Sequence, residues 1–74
     1  MKYLILENGK STEVVDNKQL LYERWDELIL WYKKKGSFDW CAGFYMMLRN
    51  GTEIKVLGSN EKEPKYNRNE WKNR

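Results

Sequence analysis

The chain has 74 residues and a formal net charge of +3, a length that allows one small domain and no second one. Hydrophobic residues make up 41% and charged residues 34%, enough for one apolar core in a soluble protein. Cys41 is the single cysteine and there is no histidine. This composition excludes an intramolecular disulfide, histidine-based nucleophilic triads and histidine-ligated metal sites.

The first predicted element is a β-hairpin around Asn8-Gly9. An Asn-Gly pair between apolar segments favours a type I′ turn, because both central residues of that turn need a positive φ. The hairpin would join residues 2–7 to residues 10–15. A two-residue turn fixes the register, which places Tyr3 opposite Val14 and Leu6 opposite Ser11.

A helix over residues 17–35 is predicted next. Asp16 is a suitable N-cap residue, and Gly36 supplies the left-handed residue that ends a helix. Apolar side chains recur at helical spacing and form one stripe, which we expect to face the core. The stripe consists of Leu21, Trp25, Leu28, Ile29 and Tyr32, with Tyr22 at its edge.

A second Asn-Gly pair, Asn50-Gly51, predicts a hairpin that joins residues 40–49 to 52–57. In that register Tyr45 lies opposite Val56 and Met47 opposite Ile54. The predicted fold is therefore α+β, with hairpin-helix-hairpin (ββαββ) order and one helix packed on a four-stranded sheet. Residues 1–58 form the single domain, and residues 59–74 form a flexible basic tail. Over residues 1–57 this element order resembles the grasp arrangement of protein G and ubiquitin-like proteins.

The two faces of the predicted sheet are both apolar. The face that takes the helix would carry Tyr3, Ile5, Val14, Tyr45, Met47, Ile54 and Val56. The reverse face would carry Leu4, Leu6, Phe44, Met46 and Leu48, with Leu57 beside them. An exposed apolar patch of this size is typical of an interface, so we expect a homodimer or a partner protein to cover it. The alternatives are that the tail folds over this face or that the face assignment is reversed.

A second predicted interface lies on the helix, where Leu20, Arg24 and Trp31 fall outside the core stripe. An outward tryptophan near an arginine is typical of binding hot spots. The helix acids Glu23, Asp26 and Glu27 indicate a solvated surface, and Cys41 indicates a small buried side chain. We therefore expect no enzyme activity, no metal and no cofactor. The absence of a long apolar segment predicts a cytoplasmic protein without a membrane span.

The alternative function is nucleic-acid binding, because the chain is basic, with a pI of about 9.0. The phosphate contacts would come from lysines in the last turn of the helix and from basic residues of the tail. These candidates are Lys33, Lys34, Lys35, Lys65, Arg68 and Lys72.

Residue usage indicates the source. Ten lysines against four arginines, with a single alanine, indicate A/T-rich codons and thus a low-GC bacterium or its phage. In size and composition the chain resembles small bacteriophage proteins that inhibit host machinery, in particular inhibitors of the bacterial replicative sliding clamp. Gln19-Leu20-Leu21-Tyr22-Glu23 begins like the clamp-binding peptide Gln-Leu-x-Leu-Phe but departs from it at Tyr22 and Glu23. The resemblance therefore implies a protein that blocks the DNA channel of the clamp. An inhibitor of a CRISPR nuclease is the second expected class.

Overall fold

The computed structural model describes residues 2–60 and 62–67. Within these residues it contains the helix α1 (Lys18–Lys35) and the strands β1 (Tyr3–Glu7), β2 (Lys10–Val15), β3 (Phe38–Cys41), β4 (Tyr45–Leu48) and β5 (Glu53–Gly58). The strands form one antiparallel sheet in the order β2-β1-β5-β4-β3. The α+β class is confirmed, but the described sheet has five strands where four were predicted.

The additional strand arises from a tight turn at Gly43. Ala42 and Tyr45 donate backbone hydrogen bonds to each other's carbonyls, at N···O distances of 2.9 and 3.2 Å. Gly43, the first of the two residues between them, has a φ of 62°, as a type II′ turn requires. This turn divides the predicted strand 40–49 into β3 and β4. The order on which the grasp resemblance rested is therefore not the observed one.

The first hairpin has the predicted turn but only part of the predicted register. Asn8 and Gly9 have φ values of 53° and 83°, and Leu6 pairs with Ser11 as expected. Thr12 is then an extra residue in β2, and its hydroxyl donates to the carbonyl of Ile5 at 3.2 Å. This β-bulge shifts the later pairs by one residue, so that Val15 is buried and Val14 is 57% exposed. The prediction that Val14 faces the core was wrong.

The second hairpin differs from the prediction by one residue. Met46 pairs with Ile54, and the loop 49–51 closes with a hydrogen bond of 2.9 Å from the Leu48 amide to the Thr52 carbonyl. Among the residues of this loop Gly51 alone has a positive φ, 88°. A three-residue loop with glycine at its left-handed position replaces the predicted two-residue turn.

This shift reverses the faces of β4, because neighbouring residues of a strand point to opposite sides. Phe44, Met46 and Leu48 were predicted as interface residues on the reverse face. They are 7%, 0% and 4% exposed and belong to the core beneath the helix. Their assignment to an interface was wrong, and Tyr45 and Met47 take the other face instead.

The helix confirms the predicted core stripe. Leu21, Tyr22, Trp25 and Leu28 are buried, and Ile29 and Tyr32 pack against them. Asn17, not Asp16, is the N-cap: it has extended backbone angles, and its Oδ1 accepts a hydrogen bond of 2.9 Å from the Leu20 amide. Gly36 ends the helix with a φ of 77°, as predicted.

Tyr66, in the predicted tail, packs against the core. The Gly58 amide donates to the carbonyl of Lys62 at 2.7 Å, which turns the chain after β5. The Tyr66 ring then contacts the rings of Tyr22 and Phe44, with centroid distances of 5.2 and 4.9 Å. The sequence predicted a flexible tail, and in the structure Tyr66 connects this segment to the core. The predicted phosphate contacts Arg68 and Lys72 lie outside the described residues.

Candidate protein-binding surfaces

The side of the sheet opposite α1 carries mostly apolar residues, which lie in three rows across the strands. We call this surface the outer face. The first row is Val14, Leu4 and Leu57, on β2, β1 and β5. The second is Leu6, Lys55 and Tyr45, on β1, β5 and β4. The third is Glu53, Met47 and Trp40, on β5, β4 and β3.

The polar groups of the outer face are paired within it. The Tyr45 hydroxyl donates to Glu53 Oε2 at 2.8 Å, and Lys55 Nζ lies 3.9 Å from Glu53 Oε1. The hydrogen bond to Glu53 raises the pKa of Tyr45. The Tyr45 ring also lies 5.4 Å from the ring of Trp40. The face is thus an apolar surface with one opposite-charge pair near its centre.

Exposure is uneven across the outer face. Val14 and Trp40 are 57% and 47% exposed, whereas Leu6 is 7% exposed among its neighbours. Leu4, Tyr45, Met47 and Leu57 lie between these limits. Of the predicted interface residues on the sheet, Leu4 and Leu6 are on this face, and Leu6 contributes little accessible surface. Tyr45 and Met47 were not predicted on this face, because the side of the sheet that they take depends on the length of the loop between β4 and β5.

A cleft of about 520 Å³ lies on the helix side of the sheet, between α1 and the β1–β2 hairpin. We call it the hairpin–helix cleft. Its floor is apolar and its rim carries charged and aromatic side chains. It is lined by Ile5, Glu7, Thr12, Glu13, Arg24, Glu27, Leu28, Trp31, Tyr32 and Ile54. Two of the three predicted helix-surface residues, Arg24 and Trp31, therefore meet at one cavity.

Arg24 links the two sides of this cleft. Its Nε lies 2.8 Å from Glu13 Oε1 and 3.0 Å from Glu13 Oε2, and its Nη1 lies 3.9 Å from Glu27 Oε2. The hydrogen bond to Glu13 raises the pKa of Arg24. Burial raises the pKa of Tyr32, and the negative charge of Glu7 adds to this effect. Glu7 and Tyr32 both line the cleft.

Leu20, the third predicted helix-surface residue, lies next to the cleft. It is 44% exposed and lines a shallower groove of about 280 Å³, which shares Glu13, Arg24 and Glu27 with the cleft. Trp31 is 51% exposed, and its ring lies 4.8 Å from that of Tyr32. Leu20, Arg24 and Trp31 thus follow one side of the helix, as the sequence predicts.

Among the described residues, Lys65 is not brought together with the predicted phosphate contacts on the helix. Lys33 Nζ lies 5.1 Å from the Phe38 ring, and Lys35 Nζ lies 4.2 Å from the Trp31 ring. Lys65 precedes Tyr66, which contacts Tyr22. At a helical rise of 1.5 Å per residue, Tyr22 and Lys33 are roughly 17 Å apart along the axis. Lys65 and the helix lysines therefore belong to different ends of the molecule.

Two further findings concern residues 2–60 and 62–67. No group of three acidic or cysteine side chains converges in a way that could hold a metal ion. No helix in this part of the chain is long and apolar enough to cross a membrane. Cys41, predicted as a small buried side chain, is exposed on the edge strand β3, so that prediction was wrong.

Comparison with known proteins gives one partial similarity to report. The protein arginine N-methyltransferase skb1 of Schizosaccharomyces pombe (strain 972 / ATCC 24843) is 38% identical over 50 residues, which is 64% of this chain. The chain spans 7% of the length of that protein. No protein-family model matches the chain, and no solved structure matches it. Coverage this small assigns the chain to no family.

Proposed function

We propose that this chain is a non-enzymatic protein-binding module and that the outer face is its main contact surface. The observation that supports the proposal is the apolar character of a sheet face that no other described element covers. One-layer antiparallel sheets ordinarily present polar side chains to water on the side away from the helix. Here Leu4, Tyr45, Met47 and Leu57 take those positions, with exposed Val14 and Trp40 at the two margins.

We propose a second copy of the chain as one occupant of the outer face. Two such sheets can pack face to face at about 10 Å, which buries apolar rows without new chemistry. In a two-fold arrangement, Lys55 of one copy can pair with Glu53 of the other.

The target of the module is proposed to be a host protein that handles nucleic acid. The bacterial replicative sliding clamp is the first candidate and a CRISPR nuclease is the second. The support is the resemblance in size and composition to small phage inhibitors. Such an inhibitor would act in the host cytoplasm, and a two-fold dimer would present two copies of the surface formed by Leu20, Arg24 and Trp31 to a ring-shaped target.

The experiment compares one outer-face variant with one helix-surface control. Met47→Asp places a charge in the outer face, whereas Leu30→Asp places the same charge on a helix residue that is 67% exposed and outside that face. Sedimentation at tens of micromolar should show a dimer for the wild type and for Leu30→Asp, and a folded monomer for Met47→Asp.

Affinity capture completes the test. Each variant is immobilised and exposed to a nuclease-treated lysate of a low-GC bacterium and, separately, to purified sliding clamp. The proposal requires clamp or another stoichiometric protein to be retained by the wild type and Leu30→Asp and lost by Met47→Asp. A monomeric wild type whose binding survives Met47→Asp contradicts the outer-face proposal. Recovery of nucleic acid alone, lost when Lys33, Lys34 and Lys35 are replaced by alanine, favours nucleic-acid binding instead.

A further inference from the structure

The hairpin–helix cleft is separate from the outer face. It lies on the helix side of the sheet, and its floor is formed by Ile5, Leu28 and Ile54. Glu27 and Trp31, from the second half of α1, line the cleft and are exposed at its rim. A volume of about 520 Å³ falls within the range of ligand pockets, roughly 300–1,000 Å³.

The charge of the cleft is opposite to that of the whole chain. Glu7, Glu13 and Glu27 contribute three negative charges to its lining and Arg24 one positive charge. Lys35, whose Nζ lies 4.2 Å from the Trp31 ring, adds one positive charge beside it, so the local sum is −1 in a protein of net charge +3. Both oxygens of Glu13 already accept from Arg24 Nε. Glu27 is held less closely, at 3.9 Å from Arg24 Nη1, and its side chain is 67% exposed. Glu7 and Glu27 are therefore the carboxylates placed to meet an incoming cation.

The aromatic side of the cleft suits a cation with an aliphatic stem. The rings of Trp31 and Tyr32 are in edge-to-face contact and both line the cavity. The chain itself places an ammonium group on one of these rings, since Lys35 Nζ lies 4.2 Å from the Trp31 centroid. Indole rings are the strongest cation–π acceptors among side chains, and their apolar surface packs against the methylene groups of lysine or arginine.

We propose that the hairpin–helix cleft binds an arginine or lysine side chain of a partner polypeptide. The stem of that side chain packs on Trp31 and the apolar floor, and its charged end pairs with Glu27 and Glu7. The bound residue belongs to a basic segment, because the cleft and the adjacent Lys35 together carry a net negative charge. This site does not depend on the outer face, so either proposal can fail without the other.

The test uses capped peptides of alternating alanine and arginine, alanine and lysine, alanine and glutamine, or alanine and glutamate. Binding is followed by the NMR signal of the Trp31 indole N–H, identified by its absence in Trp31→Phe. The arginine or lysine peptide should shift this signal saturably, and the glutamine and glutamate peptides should not. Glu27→Gln should weaken the binding by about threefold to fivefold, the upper range for a solvent-exposed ion pair.

Asp39→Asn is the matched control, because it removes the same charge from an exposed residue of β3, which does not line the cleft. It should leave the affinity of the basic peptide within about twofold of the wild-type value. Equal weakening by Glu27→Gln and Asp39→Asn would mean attraction by net charge alone and would overturn the proposal. Binding of the glutamate peptide, or of no peptide, would also overturn it. Far-UV circular dichroism of each variant confirms that the fold is kept.

Discussion

Tyr22 on the helix and Asn67 in the carboxyl-terminal segment exchange two hydrogen bonds. The Tyr22 hydroxyl donates to the Asn67 carbonyl at 3.1 Å and accepts from the Asn67 amide at 2.8 Å. These partners are 45 positions apart in the sequence. One hydroxyl thus attaches residues 62–67 to the helix, next to the ring contacts of Tyr66. A pattern analysis of residues 59–74 could not show this, because the segment has no apolar period.

The first prediction concerns this hydroxyl. Tyr22→Phe keeps the ring, which is 2% exposed and lies 5.3 Å from Phe44, but it removes both hydrogen bonds. The free energy of unfolding should fall by about 1–2 kcal/mol, since each hydrogen bond contributes roughly 0.5–1.5 kcal/mol. Limited trypsin digestion should also cleave faster after Lys65. Unchanged stability and unchanged cleavage would show that the segment is held without this contact.

The second prediction tests the register of β4 with two neighbouring residues. Met46 is 0% exposed beneath the helix, whereas Met47 lies on the outer face. Met46→Ala should lower the free energy of unfolding by about 2–5 kcal/mol through lost burial and a cavity. Met47→Ala should cost clearly less in the monomer. Chemical denaturation at low protein concentration measures both, and the reverse order of effects would favour the two-residue turn at Asn50-Gly51.

The sequence predicted what depends on local chemistry. The helix stripe around Trp25, the glycine that ends the helix, and the type I′ turn at Asn8-Gly9 each follow from spacing or backbone preference, and each is confirmed. The sheet faces depend on register, which one residue can change. Thr12 adds a residue to β2 and the loop 49–51 adds one to the second hairpin, and both exchange the inward and outward side chains.

The candidate sites show the same contrast between features that local spacing determines and features that depend on register or packing. Leu20, Arg24 and Trp31 were predicted from helix periodicity and do lie together along the cleft and its neighbouring groove. On the sheet, Leu4 and Leu6 kept their predicted side, but the residues taken from β4 did not. The contribution of Glu7 and Glu13 to the cleft was not predicted, because it depends on how the hairpin lies against the helix.

The third prediction concerns the ion pair between Arg24 and Glu13. Their side chains are 39% and 35% exposed, so solvent screens the pair and its contribution to the free energy of unfolding is modest. A double-mutant cycle with Glu13→Gln and Arg24→Gln should give a coupling energy of about 0.2–1 kcal/mol. The coupling should shrink as salt is raised. A coupling energy that does not change with salt concentration would mean that the pair is more deeply buried than its exposure indicates.

The fourth prediction concerns alkaline pH. Burial and the nearby charge of Glu7 raise the pKa of Tyr32, so the folded protein favours the neutral phenol more than the unfolded chain does. The stability that this provides is complete below the ordinary tyrosine pKa of about 10 and is lost as the pH rises through the higher folded-state pKa. Tyr32→Phe cannot ionise, so its free energy of unfolding should fall less than that of the wild type between about pH 8 and pH 11. Urea denaturation at each pH measures the difference.

Replacing Glu7 with glutamine should move the wild-type profile toward that of Tyr32→Phe, because it removes the negative charge that, together with burial, raises the pKa of Tyr32. Parallel profiles for all three proteins would show that the Tyr32 hydroxyl titrates alike in the folded and unfolded chain.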